Sequence, residues 1–195
     1  MIFKAITTTL LAAFVLSGCQ LLKAPEKPRE TYEFSAPSFD GGVAGGTNAQ
    51  LLVKLPTSLK AIDSERMILR PTPKIITYVA GAQWSDSVPR LVQAKLVEAF
   101  ENTGSAGATA KPGDGLVIDF QLIPDIRRFE IIGGEAVIEV SIKLLSDKSG
   151  RVVASRIFTT SAATGGNQPE NYVAAFDRAF SSFAEDVIAW TFRQV

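Results

Sequence analysis

Cys19 is the one cysteine in a chain of 195 residues, and the residues in front of it set what its thiol can do. Leu16-Ser17-Gly18-Cys19 closes an uncharged apolar run over residues 5–16, and a short positive end, the amino terminus and Lys4, precedes that run. This is the layout of a secretory signal. Ser17 and Gly18 are small enough to fit a peptidase site directly before the cysteine. The expected chemistry is removal of residues 1–18 and acylation of Cys19 at the new amino terminus. The apolar run is too short to span a bilayer comfortably. Acyl chains contribute about 0.8 kcal/mol per buried CH₂, and two of them give stable anchoring.

Other chemistry is restricted by what is missing. The chain has no histidine, which removes the commonest general base, the commonest metal ligand and every Ser-His triad. With Cys19 acylated, no thiol remains for a disulfide, a zinc site or a nucleophile. No G-x-S-x-G elbow and no S-x-x-K occurs. The glycine run at 41–46 lacks the Lys-Ser/Thr pair and the strand-to-helix setting of a phosphate-binding loop, so it reads as a plain loop. Asp119 and Glu139 are expected on adjacent strands, on a solvent-facing side, and two carboxylates alone do not make a glycosidase. The expectation is a chain that is not an enzyme, with no catalytic residue, no metal and no cofactor.

Binding chemistry is left. Trp84 and Tyr78 flank the start of the first helix, and Trp and Tyr are frequent interface anchors. The competing reading has Trp84 packed over the helix N-terminus. Arg66 stands three residues from Asp63, and the two are expected to pair across a turn. Arg66, Tyr78 and Trp84 are the candidate partner-binding residues. Arg127 and Arg128, beside Phe129, read as solvated strand ends. Twenty basic and twenty acidic residues balance, which argues against a nucleic-acid partner.

The elements that must position these residues follow from periodicity. Residues 20–29, with Pro25 and Pro28 among charges, read as a tether, and residues 19–30 together as the lipidated linker to a domain over 31–195. Short strands are expected at 31–35, 50–55, 67–70 and 74–79, the last two separated by Pro71-Thr72-Pro73. Val88, Leu91, Val92, Leu96, Ala99 and Phe100 form an apolar stripe that predicts a helix over 85–103. Strands are expected at 116–122, 136–144 and 151–161. The spacing places a hairpin around Gly133-Gly134 and a turn at 147–150. Val173, Phe176, Phe180, Phe183, Val187 and Trp190 recur at helical spacing and predict a second helix over 169–192, laid on a sheet. The expected fold is an α/β single domain: a mixed, largely antiparallel sheet of six to seven strands covered by two main helices.

An ordered set of residues then carries a family resemblance: Leu55-Pro56, Asp63 and Arg66, Ile76 to Tyr78, Ala82-Gln83-Trp84-Ser85-Asp86 and Val88-Pro89-Arg90-Leu91. The Tyr32-Glu33-Phe34 opening and the late Gly150-Arg151-Val152-Val153-Ala154 turn agree with it. In these the chain resembles the ABC-type transport auxiliary lipoprotein components, whose PqiC-like branch is linked to MCE-type lipid transporters. The resemblance implies an α/β domain without catalytic activity that docks or steadies a periplasmic MCE protein, with a homo-oligomer, in some members a ring, as the assembly. The alternative within the same compartment is an assembly or pilot lipoprotein for another outer-membrane complex. Gln20, rather than an aspartate, after the cysteine favours the outer membrane, facing the periplasm.

Overall fold

The computed structural model describes residues 28–39 and 45–195. The signal segment, Cys19, most of the tether and the centre of the glycine run lie outside the described residues.

The main sheet is built around one long strand, β8 (Phe120–Ile132). On one side it pairs antiparallel with β9 (Glu135–Ser146), which pairs antiparallel with β10 (Arg151–Ala163). On its other side three short strands lie end to end, each parallel to β8: β2 (Gln50–Val53), β3 (Thr57–Ser58) and β4 (Ile68–Thr72). β7 (Ala108–Ala110) extends the sheet beyond β2 in parallel, and β5 (Ile75–Tyr78) extends it beyond β4 as a hairpin. A separate two-stranded parallel ribbon joins β1 (Glu30–Tyr32) to β6 (Ala82–Trp84). Helix α1 (Val88–Asn102) and helix α2 (Pro169–Phe192) complete the single α/β domain.

The expected architecture stands, with more strands than expected. The main sheet holds eight. β3, β6 and β7 are two or three residues long and have no alternation to betray them. β8 also differs from the expectation of a strand ending near residue 122. It runs straight through Pro124, a residue usually excluded from sheet interiors because it cannot donate. The reason is local. The β2 ladder ends at Leu122 and the β3 ladder starts at Asp125, so the missing N–H falls in the gap between two partners.

Both turns match their chemistry. Gly133 and Gly134 hold φ of 60° and 81°, the two positive values that a tight hairpin with right-handed strand twist requires.

The core sits between the sheet and the helices. Ala136, Ile138, Val140, Ile142 and Leu144 of β9 are fully buried, and α2 covers β9 and β10 with Phe176, Phe180, Phe183, Val187 and Trp190. An aromatic cluster closes one end of it. Phe129 stacks on Phe176 at 4.5 Å and 7°, Trp84 meets both rings edge-on, and Phe34 contacts Trp84, Phe129 and Phe180. Four separate stretches of chain therefore share one contact set. Phe176→Ala is expected to lower the unfolding free energy by about 3–5 kcal/mol, read as a shift of the urea midpoint; a loss under about 1 kcal/mol would mean that the cluster is not part of the cooperative core.

Candidate functional site

Arg66 has its backbone held on both sides. The Glu65 carbonyl accepts from Trp84 N–H at 2.7 Å, and the Met67 carbonyl accepts from Val79 N–H at 3.0 Å. Its own N–H donates to Ser64 Oγ at 3.1 Å. The side chain then lies over Tyr78, with Cζ 3.6 Å from the ring centroid. A guanidinium on an aromatic face gains cation–π attraction of about 0.5–1 kcal/mol at an exposed site. Two of the three candidate residues are thus in contact. They line an open concavity of about 510 Å³ together with Arg29, Val79, Ala80, Gly81 and Ala82. No acidic side chain is among these lining residues.

Trp84 is placed differently. It is 1% exposed and belongs to the aromatic cluster, so its indole has no free face for a partner. It supports the site from beneath: its backbone N–H is one of the two clamps beside Arg66. The expected Asp63–Arg66 pair does not form. Asp63 lies 3.7 Å from Lys60, with both side chains exposed, and Arg66 turns to the ring instead.

The concavity opens at the root of the N-terminal segment. Glu30 N–H donates to the Gly81 carbonyl at 2.8 Å, and Ser85 N–H donates to the Tyr32 carbonyl at 2.9 Å, so β1 is stitched to β6 on the floor beside Arg66. Two outer ties hold the same segment. Lys95 of α1 pairs with Glu33 at 3.1 Å. The Tyr32 hydroxyl faces both Glu30 and Glu170 at the start of α2. These two carboxylates, Glu30 foremost, hold the Tyr32 phenol well above its ordinary range. Glu170 is held below the usual carboxylate range, first by its backbone N–H bond at the helix start and then by Tyr32.

Arg127 and Arg128 are not strand ends. They sit in the middle of β8, where the register with β9 shifts between Ile126 and Arg128, and Arg127 is the bulged residue left over. Arg128 Nε donates to Glu130 Oε1 at 3.0 Å, while Arg70 Nε donates to Glu130 Oε2 at 2.8 Å. Glu130 is 3% exposed, so a buried carboxylate is paired from two sides. Sequence reading missed this group, since Arg70 and Glu130 are 60 residues apart and meet only because β4 runs parallel to β8.

Asp119 and Glu139 do not converge. Asp119 closes the start of β8, accepting from Gln50 N–H at 2.8 Å, whereas Glu139 pairs in register with Arg128. The rise per residue along the ladder separates them by roughly 25 Å. Among the described residues no cluster of three or more His, Cys, Asp or Glu side chains is placed to hold a metal ion. No helix among them is long and apolar enough to cross a membrane.

Two outcomes test these contacts. Arg70→Met leaves a buried carboxylate short of a partner and is expected to cost about 1–3 kcal/mol in a urea titration. Replacing Glu130 as well, in Arg70→Met/Glu130→Leu, is expected to recover most of that loss, because the uncompensated charge goes with it. For Glu170 the lowered folded-state pKa contributes stability above the unfolded carboxylate range and loses it as pH falls. The drop in thermal midpoint between about pH 6 and about pH 3 is therefore expected to be smaller in Tyr32→Phe than in the parent; an equal drop would show that the phenol does not act on the carboxylate.

Comparison with known proteins places the chain. The family model for ABC-type transport auxiliary lipoprotein components matches residues 32–188, which takes in both sheets and nearly all of α2. An uncharacterized protein of Bradyrhizobium diazoefficiens is 36% identical over 181 residues, 91% of this chain and 49% of that protein. The chain thus spans about half the length of the curated relative it matches. A crystal structure from Xanthomonas campestris superposes with a TM-score of 0.74 at 30% identity, covering 85% of this chain and 96% of the other. A second crystal structure, of an uncharacterized protein, reaches 0.66 at 11% identity, covering 85% and 99%, and shares the fold alone. By this match over most of its length, the chain belongs to the family of ABC-type transport auxiliary lipoprotein components.

Proposed function

We propose that the protein is a non-enzymatic accessory lipoprotein of an ABC/MCE-type envelope lipid transport system. It docks or steadies the periplasmic MCE component at the outer membrane. Residues 1–18 are the signal that is removed, Cys19 carries the acyl anchor, residues 19–30 are the tether, and residues 31–195 are the working domain. The observation that carries the reading is the family match, which begins at the second residue of that domain. The geometry is in keeping with it. Buried Glu130 ties β4 to β8 through Arg70, and Arg66 lies beside an open concavity; Asp119 and Glu139, the two carboxylates weighed as a catalytic pair, lie far apart. Arg66 and Tyr78 offer a cationic, aromatic contact surface where the tether joins the domain. Self-association of the lipoprotein into a homo-oligomer is part of the same proposal.

Affinity capture of the full-length lipoprotein from crosslinked envelopes is expected to recover an MCE-domain protein. Recovery of assembly machinery or peptidoglycan enzymes without it would overturn the proposal in favour of a pilot role. Cys19→Ser is expected to yield a folded domain released from the membrane that fails to support transport. A Cys19→Ser protein that stays membrane-bound and still takes up labelled fatty acid would remove the anchor assignment.

A further inference from the structure

Arg66 differs from the arginines of β4 and β8. Arg70 and Arg128 are spent on Glu130, and Arg127 lies within 4.0 Å of Asp125 and Glu139. Arg66 has a ring beneath it and, among the described residues, no protein acceptor for its guanidinium N–H donors. Stacking fixes the plane of the guanidinium while leaving its donor edge open. The two backbone hydrogen bonds from Trp84 and Val79 keep its main chain in place. Arg29 lines the same concavity, which is bordered otherwise by small and apolar residues and by Gly81. A planar fork held on a ring, with no acceptor among the described residues and no carboxylate among the described lining residues, matches the oxygen pair of a phosphate group, which it meets through two parallel charge-assisted hydrogen bonds.

We infer that the Arg66–Tyr78 concavity binds the phosphate of a phospholipid headgroup in the membrane that holds the anchor. The source of the phosphate follows from position. The concavity lies where β1 enters the fold, one residue after Arg29, and about ten residues separate that point from Cys19. Such a length reaches at most ~35 Å when extended, so acylation of Cys19 keeps the site within a tether's reach of the headgroup layer. The inference rests on that acylation. Its consequence is a second, reversible hold on the bilayer that sets the orientation of the domain relative to its own anchor.

The test uses the full-length lipoprotein in an uncharged sugar detergent, titrated with short-chain phosphatidylglycerol and, separately, with inorganic phosphate, while arginine Nε–H resonances are followed by NMR. Phosphatidylglycerol is expected to shift the Arg66 resonance to saturation, with inorganic phosphate about tenfold or more weaker because it lacks the glycerol and chain contacts with Val79, Ala80 and Ala82. Arg66→Gln, at an exposed position, is expected to remove the saturable response while the domain stays folded, its thermal midpoint lowered by no more than about 4 °C through loss of the cation–π contact. Tyr78→Leu keeps the charge but removes the shelf, and is expected to weaken binding severalfold. Equal affinity for both compounds, a response to phosphate alone, or an unchanged titration in Arg66→Gln would overturn the inference. Mass spectrometry of the same preparation separates the two readings: an unacylated chain that titrates normally refutes the anchor alone, and an acylated chain that does not titrate refutes the headgroup site alone.

Discussion

Phe34 is the residue on which the arrangement of the N-terminal end depends. It is 1% exposed, lies three residues beyond the middle of β1, and touches Trp84, Phe129 and Phe180. The β1–β6 ribbon alone has three register pairs, too few to hold in water without packing. Burial of one phenylalanine contributes about 1.5–3 kcal/mol, and here it joins the segment after the tether to β6, β8 and α2 at once. Any pull on the N-terminal linker is therefore borne by the core and not by a loop. The same cluster places Trp84, whose backbone fixes one side of Arg66. The packing of four rings and an indole thus sets both where the linker leaves the domain and where the cationic concavity opens beside it.

Charged groups in this fold divide by what surrounds them. Glu130 lies on β8, where the parallel neighbour β4 brings Arg70 to it and Arg128 stands two residues away on the same strand, and a carboxylate so buried is stable only with such partners. Lys95 and Glu33, or Lys60 and Asp63, are partly exposed pairs of small energetic value, useful for direction more than for stability. Arg66 belongs to neither group. Its donors face an open concavity, a place where water can serve them until something better arrives. This contrast between arginines of the same sheet region is the ground on which the concavity is proposed as a binding surface.

Much of the fold was legible from periodicity. The second helix starts and ends where the Val173-to-Trp190 stripe and Pro169 place it, and β9 follows the alternation of Ala136 to Leu144 into a glycine turn. The short strands were not legible. β3, β6 and β7 carry two or three residues each, less than one full period of any pattern, and they are strands only because a neighbour supplies a ladder. β8 could not be read as one element because proline normally ends a strand, and its tolerance at residue 124 comes from a gap between two partner strands distant in sequence. Of the candidate residues, Arg66 and Tyr78 were chosen from residue type and do meet; Trp84 was chosen on the same ground and is core.

By itself the sequence determined the chemistry that this protein can and cannot offer: one cysteine, expected to be acylated, no imidazole, two amphipathic helices and alternating strands. Those are properties of residue type and of spacing within a single element, and they need no partner to be true. Tertiary structure alone decided which arginine is spent and which is open, and which aromatic ring is a shelf and which is core. Those outcomes turn on contacts between residues distant in sequence, such as Arg66 with Tyr78, Arg70 with Glu130 and Trp84 with Phe176. The Arg70–Glu130 pair exists only once the parallel register of β4 on β8 has been chosen, and the Arg66–Tyr78 contact only once the β4–β5 hairpin has closed; both choices are made by burial of the whole sheet.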